Sequence, residues 1–567
     1  MMKTGAQIVW ETLIQEGVEV VFGYPGGANL PIYDALTEYP IKHVLVRHEQ
    51  GASHMADGYA RASGKVGVAM TTSGPGATNL VTGIATAMMD SSPTVFITGQ
   101  VNSALLGYDA FQEIDVTGIT LPITKHNYLV TRVEDISNTI REAMYIAQSG
   151  RPGPVLIDIT KDAQQASMEW EYDNSPIRLP GYKPDYSPMA ADFARAAELI
   201  HAAKRPLILA GRGILLSGAM AEVLEFAERT HTPVAETLLG LGAFPGEHPL
   251  SLGLMGMHGE SWVNEAIQNA DLLLAFGMRF DDRVTGNLKN YALQARKIHI
   301  DIDPSEGNKI VKVDQVLTGD LKGVLKQLLQ SVSICEHSEW LETIQASKGE
   351  SAVRDIKNLP DNGHLYAAHV INDLYHVTQG NAMVVTDVGQ HQMWTAQYYP
   401  QNNPNHFLTS GGLGTMGFGL PAAIGACFAK PGCEIWVICG DGGFQMTQAE
   451  LSTAAQEGIK INVAIINNGY LGMVRQWQEL FYEKRYSQTP LLSPNFAKIA
   501  EAHGLAGFCV TQRSEVIPTL EQARQESGSV VIDFRVEKEE LVYPMVNSGA
   551  GLQDMIRRPV PDPEMLF

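Results

Sequence analysis

Two oxygen-bearing side chains, Asp441 and Asn468, each directly follow an apolar run that is typical of a buried strand. Asp441 comes after EIWVICG and Asn468 after INVAIIN, with one helix-length segment between them. In a parallel βαβ unit, both side chains would lie at the carboxyl edge of the sheet. Such a pair predicts a Mg²⁺ site completed by a backbone carbonyl, water and a diphosphate. For either residue alone, a turn-forming role is the simpler interpretation.

A glutamate, Glu49, stands in the first turn of a predicted helix within RHEQGASHMADGYARASG, directly after the apolar run HVLV. A carboxylate at this place complements the helix dipole, and for an isolated glutamate that is the simpler interpretation. The neighbouring His48 and His54 are spaced so that they do not share a helix face, which argues against a zinc site.

A Gly-Pro-Gly turn lies in TTSGPGATNLVTG, residues 71–83, between an apolar strand and a helix. Glycines at such a junction let backbone amides approach a ligand closely. The segment lacks the GxGxxG order and the phosphate-binding GK[ST] signature, so ordinary turn formation explains it equally well.

Helix-length segments alternate with apolar runs of strand length, and these runs show no polar alternation. That pattern indicates parallel sheets covered by helices on both faces, with ligands bound beyond the carboxyl ends of the strands. The sequence therefore predicts an α/β protein built from doubly wound parallel-sheet domains. The predicted strands are 43–46, 93–98, 154–159, 206–211, 271–277, 297–303, 382–387, 434–441, 461–468 and 529–534.

Two polar, turn-rich stretches divide the chain, at 172–188 and, less distinctly, at 347–363. They predict an N-terminal domain over residues 1–180, a middle domain over 189–346 and a C-terminal domain over 364–567.

The composition argues against nucleic-acid and membrane partners. The 567 residues include 41 basic and 62 acidic side chains, a formal charge of −21, and no basic run exceeds a pair. The uncharged stretches 66–89 and 407–429 are long enough to span a membrane but contain several glycines and a proline, so buried turns explain them better. The five cysteines are scattered and no signal peptide is apparent, which favours a reducing, cytoplasmic setting.

Taken together, Gly-Asp-Gly at 440–442 and the Asn pair at 467–468 resemble the diphosphate-binding signature of thiamine diphosphate enzymes, in which a glutamate placed like Glu49 contacts the aminopyrimidine. Across essentially the whole chain, the sequence is similar to the acetolactate synthase (acetohydroxyacid synthase) catalytic subunits. The motifs that carry this resemblance are DAFQE (109–113), RFDDRVTG (279–286) and GMVRQWQELFY (472–482). Asn547 departs from the family, which has proline there.

The resemblance implies three doubly wound domains, two of them binding thiamine diphosphate on either side of a FAD-binding middle domain. It implies a transferase that decarboxylates pyruvate and joins the two-carbon unit to pyruvate or 2-ketobutyrate, giving 2-acetolactate or 2-aceto-2-hydroxybutyrate in isoleucine and valine biosynthesis. The cofactors would be thiamine diphosphate, Mg²⁺ and FAD. A homodimer or homotetramer with active sites at the subunit interface and a separate small regulatory subunit are also implied.

Each implied site residue matches a position of the family's motifs. The metal ligands would be Asp441, Asn468 and, through its backbone carbonyl, Tyr470. The positions that contact the coenzyme or the keto acids would be Glu49, Phe111, Gln112, Lys125, Arg283, Met416, Met473 and Trp477. The other thiamine diphosphate contacts would be Gly27, Pro75, Asn79, Val388, Gly389, Gln390, His391, Gly414, Gly440, Gly442 and Gly443. The FAD contacts would be Arg151, Gly211, Gly213, Thr237, Leu238, His258, Gly277, Arg279, Asp303 and Asp320.

Several implied roles are specific. Met416 would hold the coenzyme in a bent shape, Arg283 would bind the acceptor carboxylate through its guanidinium fork, and Trp477 would favour 2-ketobutyrate over pyruvate as acceptor. Phe111, Gln112 and Lys125 would serve the active site of the other subunit. Without the resemblance, Trp477 and Met473 are an ordinary apolar helix stripe, Arg283 a surface ion pair and Lys125 a solvated charge.

Other interpretations remain open at the level of sequence. The nearest are related thiamine diphosphate enzymes, namely flavin-free catabolic acetolactate synthase, pyruvate oxidase and glyoxylate carboligase. RFDDRVTG and Trp477 argue against the first two, and Glu49 against the third. A non-catalytic nucleotide-binding or scaffold protein on the same fold is the alternative from another class. It predicts loss of at least one site element, yet Glu49, Met416, Asp441 and Asn468 are all present.

Overall fold

The structure, a computed structural model, describes residues 1–352, 354–358 and 363–559. It contains three six-stranded sheets, in which every pairing is parallel, and one short antiparallel pair. Helices connect the strands, as parallel pairing requires. The predicted α/β class with three parallel-sheet units is confirmed.

The N-terminal sheet has the strand order β3-β2-β4-β5-β7-β6, and β1 pairs with β8 apart from it. Its elements are β1 (Met2–Thr4), α1 (Gly5–Gln15), β2 (Val20–Gly23), α2 (Leu30–Leu36), β3 (Lys42–Leu45), α3 (Glu49–Ser63), β4 (Gly67–Thr71), α4 (Pro75–Thr78), α5 (Val81–Asp90), β5 (Thr94–Gln100), α6 (Val116–Thr120), β6 (His126–Val130), α7 (Ile136–Gln148), β7 (Pro154–Thr160), α8 (Lys161–Gln165) and β8 (Ser167–Glu169).

The middle sheet has the order β11-β10-β9-β12-β13-β14. Its elements are α9 (Ala190–Ala202), β9 (Pro206–Ala210), α10 (Arg212–Ser217), α11 (Met220–Thr230), β10 (Val234–Glu236), β11 (Ser251–Leu254), α12 (Ser261–Asn269), β12 (Leu272–Phe276), α13 (Asp282–Thr285), β13 (Arg296–Asp301), β14 (Gln315–Thr318), α14 (Leu321–Leu328) and α15 (Ser338–Ala352).

The C-terminal sheet has the order β16-β15-β17-β18-β20-β19. Its elements are α16 (Ala367–Thr378), β15 (Met383–Thr386), α17 (Gln390–Tyr398), β16 (Phe407–Leu408), α18 (Gly419–Ala429), β17 (Ile435–Gly440), α19 (Asp441–Thr447), α20 (Leu451–Glu457), β18 (Asn462–Asn467), α21 (Gly472–Phe481), α22 (Phe496–Ala502), β19 (Ala506–Val510), α23 (Val516–Gln525) and β20 (Val530–Arg535).

The structure agrees with the prediction for one of the two polar stretches and differs from it for part of the other. Residues 172–188 form no helix or strand, as predicted for a linker between β8 and α9. The second prediction is wrong for residues 347–352, because α15 continues through them to Ala352. Trp340 and Ile344 bury one side of this helix, and that narrow apolar stripe supports a helix whose other residues are polar. Residues 353 and 359–362 of this stretch lie outside the described part of the chain.

The N-terminal and C-terminal sheets share one apolar core, in which α3 packs directly against α18. Two glycines permit this close approach. A Cβ on Gly58 would lie 2.1 Å from the carbonyl oxygen of Ala422, and a Cβ on Gly425 would lie 1.9 Å from that of Met55. The helix that begins with Glu49 is therefore fixed to the C-terminal domain. Within the described residues, no helix has the length and apolar character needed to cross a bilayer.

Candidate active site

The predicted cation ligands stand at the carboxyl ends of two neighbouring strands. β17 and β18 are paired in parallel, and Asp441 and Asn468 directly follow them. Asp441 is buried, which raises the pKa of its carboxyl group to about 6, and its Oδ2 accepts a hydrogen bond from Ser493 Oγ at 2.5 Å. Asn468 Oδ1 accepts from the Tyr470 amide at 3.1 Å. The spacing argument thus predicted their common edge correctly.

A small cavity of about 60 Å³, here called the diphosphate cavity, opens at this edge. The predicted residues that line it are Val388, Gly389, Gln390, His391, Met416, Gly440, Asp441, Gly442, Gly443, Asn468, Tyr470 and Met473. Its volume accommodates a phosphate-sized group but not a whole coenzyme, so the rest of a coenzyme must extend beyond it.

The donor chemistry of the diphosphate cavity suits a cation-held diphosphate. The His391 ring is buried with Nε2 unpartnered, and burial lowers its pKa to about 3, so the imidazole is neutral and has one nitrogen without a hydrogen-bond partner in the protein. A Cβ on Gly389 or on Gly440 would approach this ring to 3.0 Å. Among the described residues, no group of three or more His, Cys, Asp or Glu could hold a metal. A cation here therefore depends on mixed carboxylate, amide and carbonyl oxygens, the set that Mg²⁺ takes with phosphate.

A larger cavity of about 1090 Å³, here called the interdomain cavity, is lined by all three domains. It shares Val388, Gly389, Met416, Met473 and Val474 with the diphosphate cavity, so the two adjoin. The other predicted residues along its wall are Arg151, Gly213, Thr237, Leu238, His258, Gly277, Arg279, Arg283, Asp320, Gly414 and Trp477.

The interdomain cavity has features that fit a dinucleotide such as FAD. Its volume is that of a large ligand pocket. His258 is buried with Nδ1 unpartnered, and burial lowers its pKa to about 4. Gly277, at φ 58°, lies so close to Gly213 that a Cβ would stand 2.6 Å from the Gly213 Cα, which leaves the backbone bare toward the cavity. Arg279 provides positive charge for phosphate groups, whereas Arg151, which also lines the cavity, is ion-paired with Asp303 and Glu306.

Two of the predicted FAD contacts do not line this cavity. Gly211 lies behind the wall, where a Cβ would be 2.3 Å from the Gly277 carbonyl oxygen. Asp303 accepts a hydrogen bond from Arg151 Nη1 at 3.4 Å, and Glu306 accepts a second from the same nitrogen at 2.9 Å. In this structure, Gly211 and Asp303 contact residues that line the cavity but do not line it themselves.

The N-terminal half of the predicted site gathers at the carboxyl ends of β2, β3 and β4. Gly27 follows β2, Glu49 follows β3 and Pro75 follows β4. Asn79 Nδ2 donates a hydrogen bond to Glu49 Oε2 at 2.9 Å. Gln112 covers the Gly-Pro-Gly turn, because a Cβ on Gly74 would lie 2.8 Å from the Gln112 Cβ. Phe111 beside it is 88% exposed.

These N-terminal residues line neither of the two cavities. Within one chain, Glu49 and Asp441 therefore do not face a common space in the cavities described, although α3 is packed on the C-terminal domain.

Lys125 is not the solvated charge that its sequence context alone suggests. Its Nζ donates to the carbonyl oxygens of Ile146 and Ser149, the latter at 2.7 Å, and burial lowers its pKa to about 8. These contacts lie beside Arg151, whose charge lowers the pKa further. Its role at the active site of another subunit stays a prediction.

The structure adds two buried carboxylates that the sequence did not indicate. Asp387 accepts from the amides of Gly417 and Gly419, both at 2.9 Å, and so holds the turn that carries Met416. In the sequence, only the position of Asp387 at the end of a predicted strand could have indicated this role. Asp90, from the N-terminal domain, accepts from the amides of Gly411 and Gly412 at the wall of the interdomain cavity. No short-range pattern indicates a contact between such distant residues.

Comparisons with known proteins agree with this architecture. Family models described as the N-terminal TPP binding domain, central domain and C-terminal TPP binding domain of thiamine pyrophosphate enzymes match residues 3–119, 193–328 and 387–534. Acetolactate synthase of Mycobacterium bovis is 48% identical over 562 residues, which cover 97% of this chain and 90% of that protein.

Two further relatives carry the words large subunit in their names. Acetolactate synthase large subunit of Corynebacterium glutamicum is 47% identical over 565 residues, covering 97% of this chain and 90% of that protein. The probable acetolactate synthase large subunit of Methanocaldococcus jannaschii is 45% identical over 562 residues, covering 98% and 95%. At this identity and coverage, and with all three domains matched, the chain belongs to the acetolactate synthase family of thiamine diphosphate enzymes.

Proposed function

We propose that this enzyme decarboxylates pyruvate on thiamine diphosphate and joins the two-carbon unit to a second 2-keto acid, pyruvate or 2-ketobutyrate. The observation that carries the proposal is the diphosphate cavity, with Asp441 and Asn468 at neighbouring strand ends, adjoining the interdomain cavity at Met416 and Met473. Thiamine diphosphate, when bound, supplies the carbon nucleophile for both steps. Asp441, Asn468 and the Tyr470 carbonyl would hold Mg²⁺ and, through it, the diphosphate.

Glu49 would hydrogen-bond the pyrimidine ring of the coenzyme and share a proton with it. The Asn79 amide, which donates to Glu49 Oε2, leaves Oε1 available for that bond and fixes the carboxylate plane. Glu49→Gln should therefore lose most of the activity, because the amide cannot exchange a proton with the ring, while the fold is retained. Near-normal turnover of this variant would remove Glu49 from the role.

The acceptor keto acid would lie in the interdomain cavity. The Arg283 side chain is 60% exposed, and its Nη1 donates a hydrogen bond to Met257 Sδ at 3.2 Å. Its guanidinium fork has the geometry to bind a carboxylate. Trp477 and Met473 give this part of the wall an apolar surface that excludes water and favours an acceptor with an additional methylene.

FAD would occupy the remainder of the interdomain cavity, supported by the bare backbone at Gly213 and Gly277 and by the unpartnered His258 Nδ1. The overall reaction has no net redox step, so no bond-making role for the flavin is proposed. A homodimer, with each coenzyme between Glu49 of one chain and Asp441 of the other, is supported by the separation of the two half-sites and by the exposed Phe111. The large-subunit names of the relatives support a separate small subunit.

One assay tests the proposal. Purified protein is incubated with pyruvate, with and without 2-ketobutyrate, and thiamine diphosphate, Mg²⁺ and FAD are each omitted in turn. Both acetohydroxy acids are expected only with all three cofactors, without oxygen consumption. Oxygen uptake with acetate or acetyl phosphate as product would instead favour a pyruvate oxidase. A protein that is fully active after flavin removal would overturn the FAD requirement.

A further inference from the structure

A buried carboxylate of the C-terminal domain, Glu450, reaches into the N-terminal domain where α3 begins. Its Oε1 accepts from the backbone amides of Arg47 at 3.1 Å and of His48 at 3.0 Å. Thr453 Oγ1 donates to its Oε2 at 2.6 Å. The side chain is 1% exposed, so these bonds replace water entirely and their loss leaves buried groups unsatisfied.

The two amides that donate to Glu450 belong to Arg47 and His48, the residues immediately before Glu49. These hydrogen bonds therefore fix the backbone from which the Glu49 side chain extends. Gly51 makes the approach possible, because a Cβ there would stand 2.4 Å from Glu450 Oε1. Arg47 adds a second contact with the same region, since its Nη2 donates to Gln456 Oε1 at 2.7 Å. The segment that ends β3 and starts α3 is thus anchored on the helical turn 448–450 and on α20, and not only on its own domain.

We propose that Glu450 is a positioning residue that sets Glu49 against the pyrimidine ring of the coenzyme and links the two active sites of a homodimer. The inference rests on the proposed function and on the assembly proposed with it. The link follows from chain connectivity: α19 begins with Asp441, and one further helical turn, residues 448–450, ends at Glu450. In the homodimer, Glu49 and Asp441 of the same chain serve different coenzymes. A short helical segment therefore joins the cation ligand of one site to the pyrimidine contact of the other.

Two variants on opposite sides of the contact test the proposal. Glu450→Ala removes the acceptor, and Gly51→Ala displaces it while adding a residue that favours helix. Without any cofactor, hydrogen–deuterium exchange of the Arg47 and His48 amides should become faster in both. In the holoenzyme, exchange of the thiazolium C2 proton of thiamine diphosphate, followed by NMR after acid quench, should slow about ten- to a hundredfold, because a small displacement of Glu49 misaligns proton transfer. Glu450→Gln, which retains one acceptor oxygen, should be intermediate.

Asp373→Asn is the matched control, because Asp373 is a buried carboxylate whose hydrogen-bond partner, Arg513, belongs to the same C-terminal domain. It should lower the melting temperature without slowing C2 exchange. If Glu450→Ala and Gly51→Ala both leave C2 exchange at the wild-type rate, or leave the two amides protected, the inference is wrong. Glu49→Gln distinguishes a failure of the proposed function from a failure of the Glu450 role. If C2 exchange is normal in Glu49→Gln as well, the proposed function is wrong. If C2 exchange is slow in Glu49→Gln but normal in the Glu450 and Gly51 variants, only the role of Glu450 is wrong.

Discussion

Trp477 is the residue in which acceptor choice can be measured most directly. It lines the interdomain cavity from α21 and packs edge-on against Phe481, with ring centroids 5.2 Å apart. An additional methylene of substrate buried against this indole is worth about 1–3 kcal/mol. We expect Trp477→Leu to lower the preference for 2-ketobutyrate over pyruvate about tenfold, measured as the ratio of the two products in a competition assay. Tyr482→Leu, at the exposed residue that follows α21 and outside the cavity wall, should leave the ratio unchanged, and an unaltered ratio in Trp477→Leu would contradict the assignment.

A second residue-scale prediction concerns Glu236 at the end of β10. Burial raises its pKa to about 8, although the amides of Gly242 and Phe244 donate to Oε1. Between the ordinary glutamate pKa and 8, the unfolded chain loses this proton while the folded chain keeps it. The free energy of unfolding should therefore fall as the pH rises through this window. Glu236→Gln, which resembles the protonated form, should flatten that part of the stability curve in denaturant titrations. A wild-type curve that is already flat there would contradict the shift.

How much of the site the sequence could predict depended on where each partner stands in the chain. Asp441 and Asn468 were predicted as neighbours because strand ends and a βαβ connection fix their relation. Asp90, Asp387 and Glu450 were missed because a carboxylate that binds backbone amides of a distant segment leaves no local pattern. The same limit explains why Asp303 and Gly211 were predicted as FAD contacts although they do not line the cavity. A family motif places a residue near the site but does not show whether its side chain or backbone reaches the cavity wall.

At the scale of elements, the ten apolar runs correspond to observed strands, whereas most of the missed strands are edges. β6, β14 and β19 have exposed or half-buried residues through much of their length, and β16 has only two residues. An edge strand is covered incompletely, so it does not need the continuous apolar run by which a central parallel strand is recognised. The order of strands in each sheet was not predictable, because pairing partners are set by long-range packing.

The loop that carries residues 410–414 depends on another domain for its shape. Asp90 accepts from the amides of Gly411 at 3.1 Å and Gly412 at 2.6 Å, and Arg61 Nη2 donates to it at 2.9 Å. Asp90→Asn replaces the carboxylate that accepts these three hydrogen bonds with an amide, one side of which can only donate. The buried Arg61 then loses part of its charge pairing, and the protein should be destabilised by about 3 kcal/mol. Because Asp90 and this loop border the interdomain cavity, FAD affinity should fall as well, measured by flavin fluorescence titration. Asp135→Asn, at an exposed pair with Arg132, should change neither quantity.

At the scale of the whole molecule, the two halves of the proposed coenzyme site lie in one chain but do not line a common cavity among those described. α3 and α18 are packed through glycines, so the N-terminal domain cannot move Glu49 over Asp441 of its own chain without opening a shared core. A second copy of the chain can bring its own N-terminal edge to the diphosphate cavity, and two-fold symmetry then creates two equivalent sites. Exposed apolar residues at the N-terminal edge, among them Tyr108, Phe111 and Leu121, provide a surface for that contact.

Mixing two inactive variants tests this arrangement. Glu49→Gln and Asp441→Ala should each be inactive alone, since every site carries one defect. If each site combines Glu49 from one chain with Asp441 from the other, a mixed dimer has one site with both defects and one site with none. Random reassociation after mild denaturation should then restore about a quarter of wild-type activity, because half of the dimers are mixed and each has one intact site. If both residues of a site came from the same chain, no mixture would recover activity. Mixing Glu49→Gln with Asn79→Ala, which alter the same half-site, is the control, because the intact half-sites never meet.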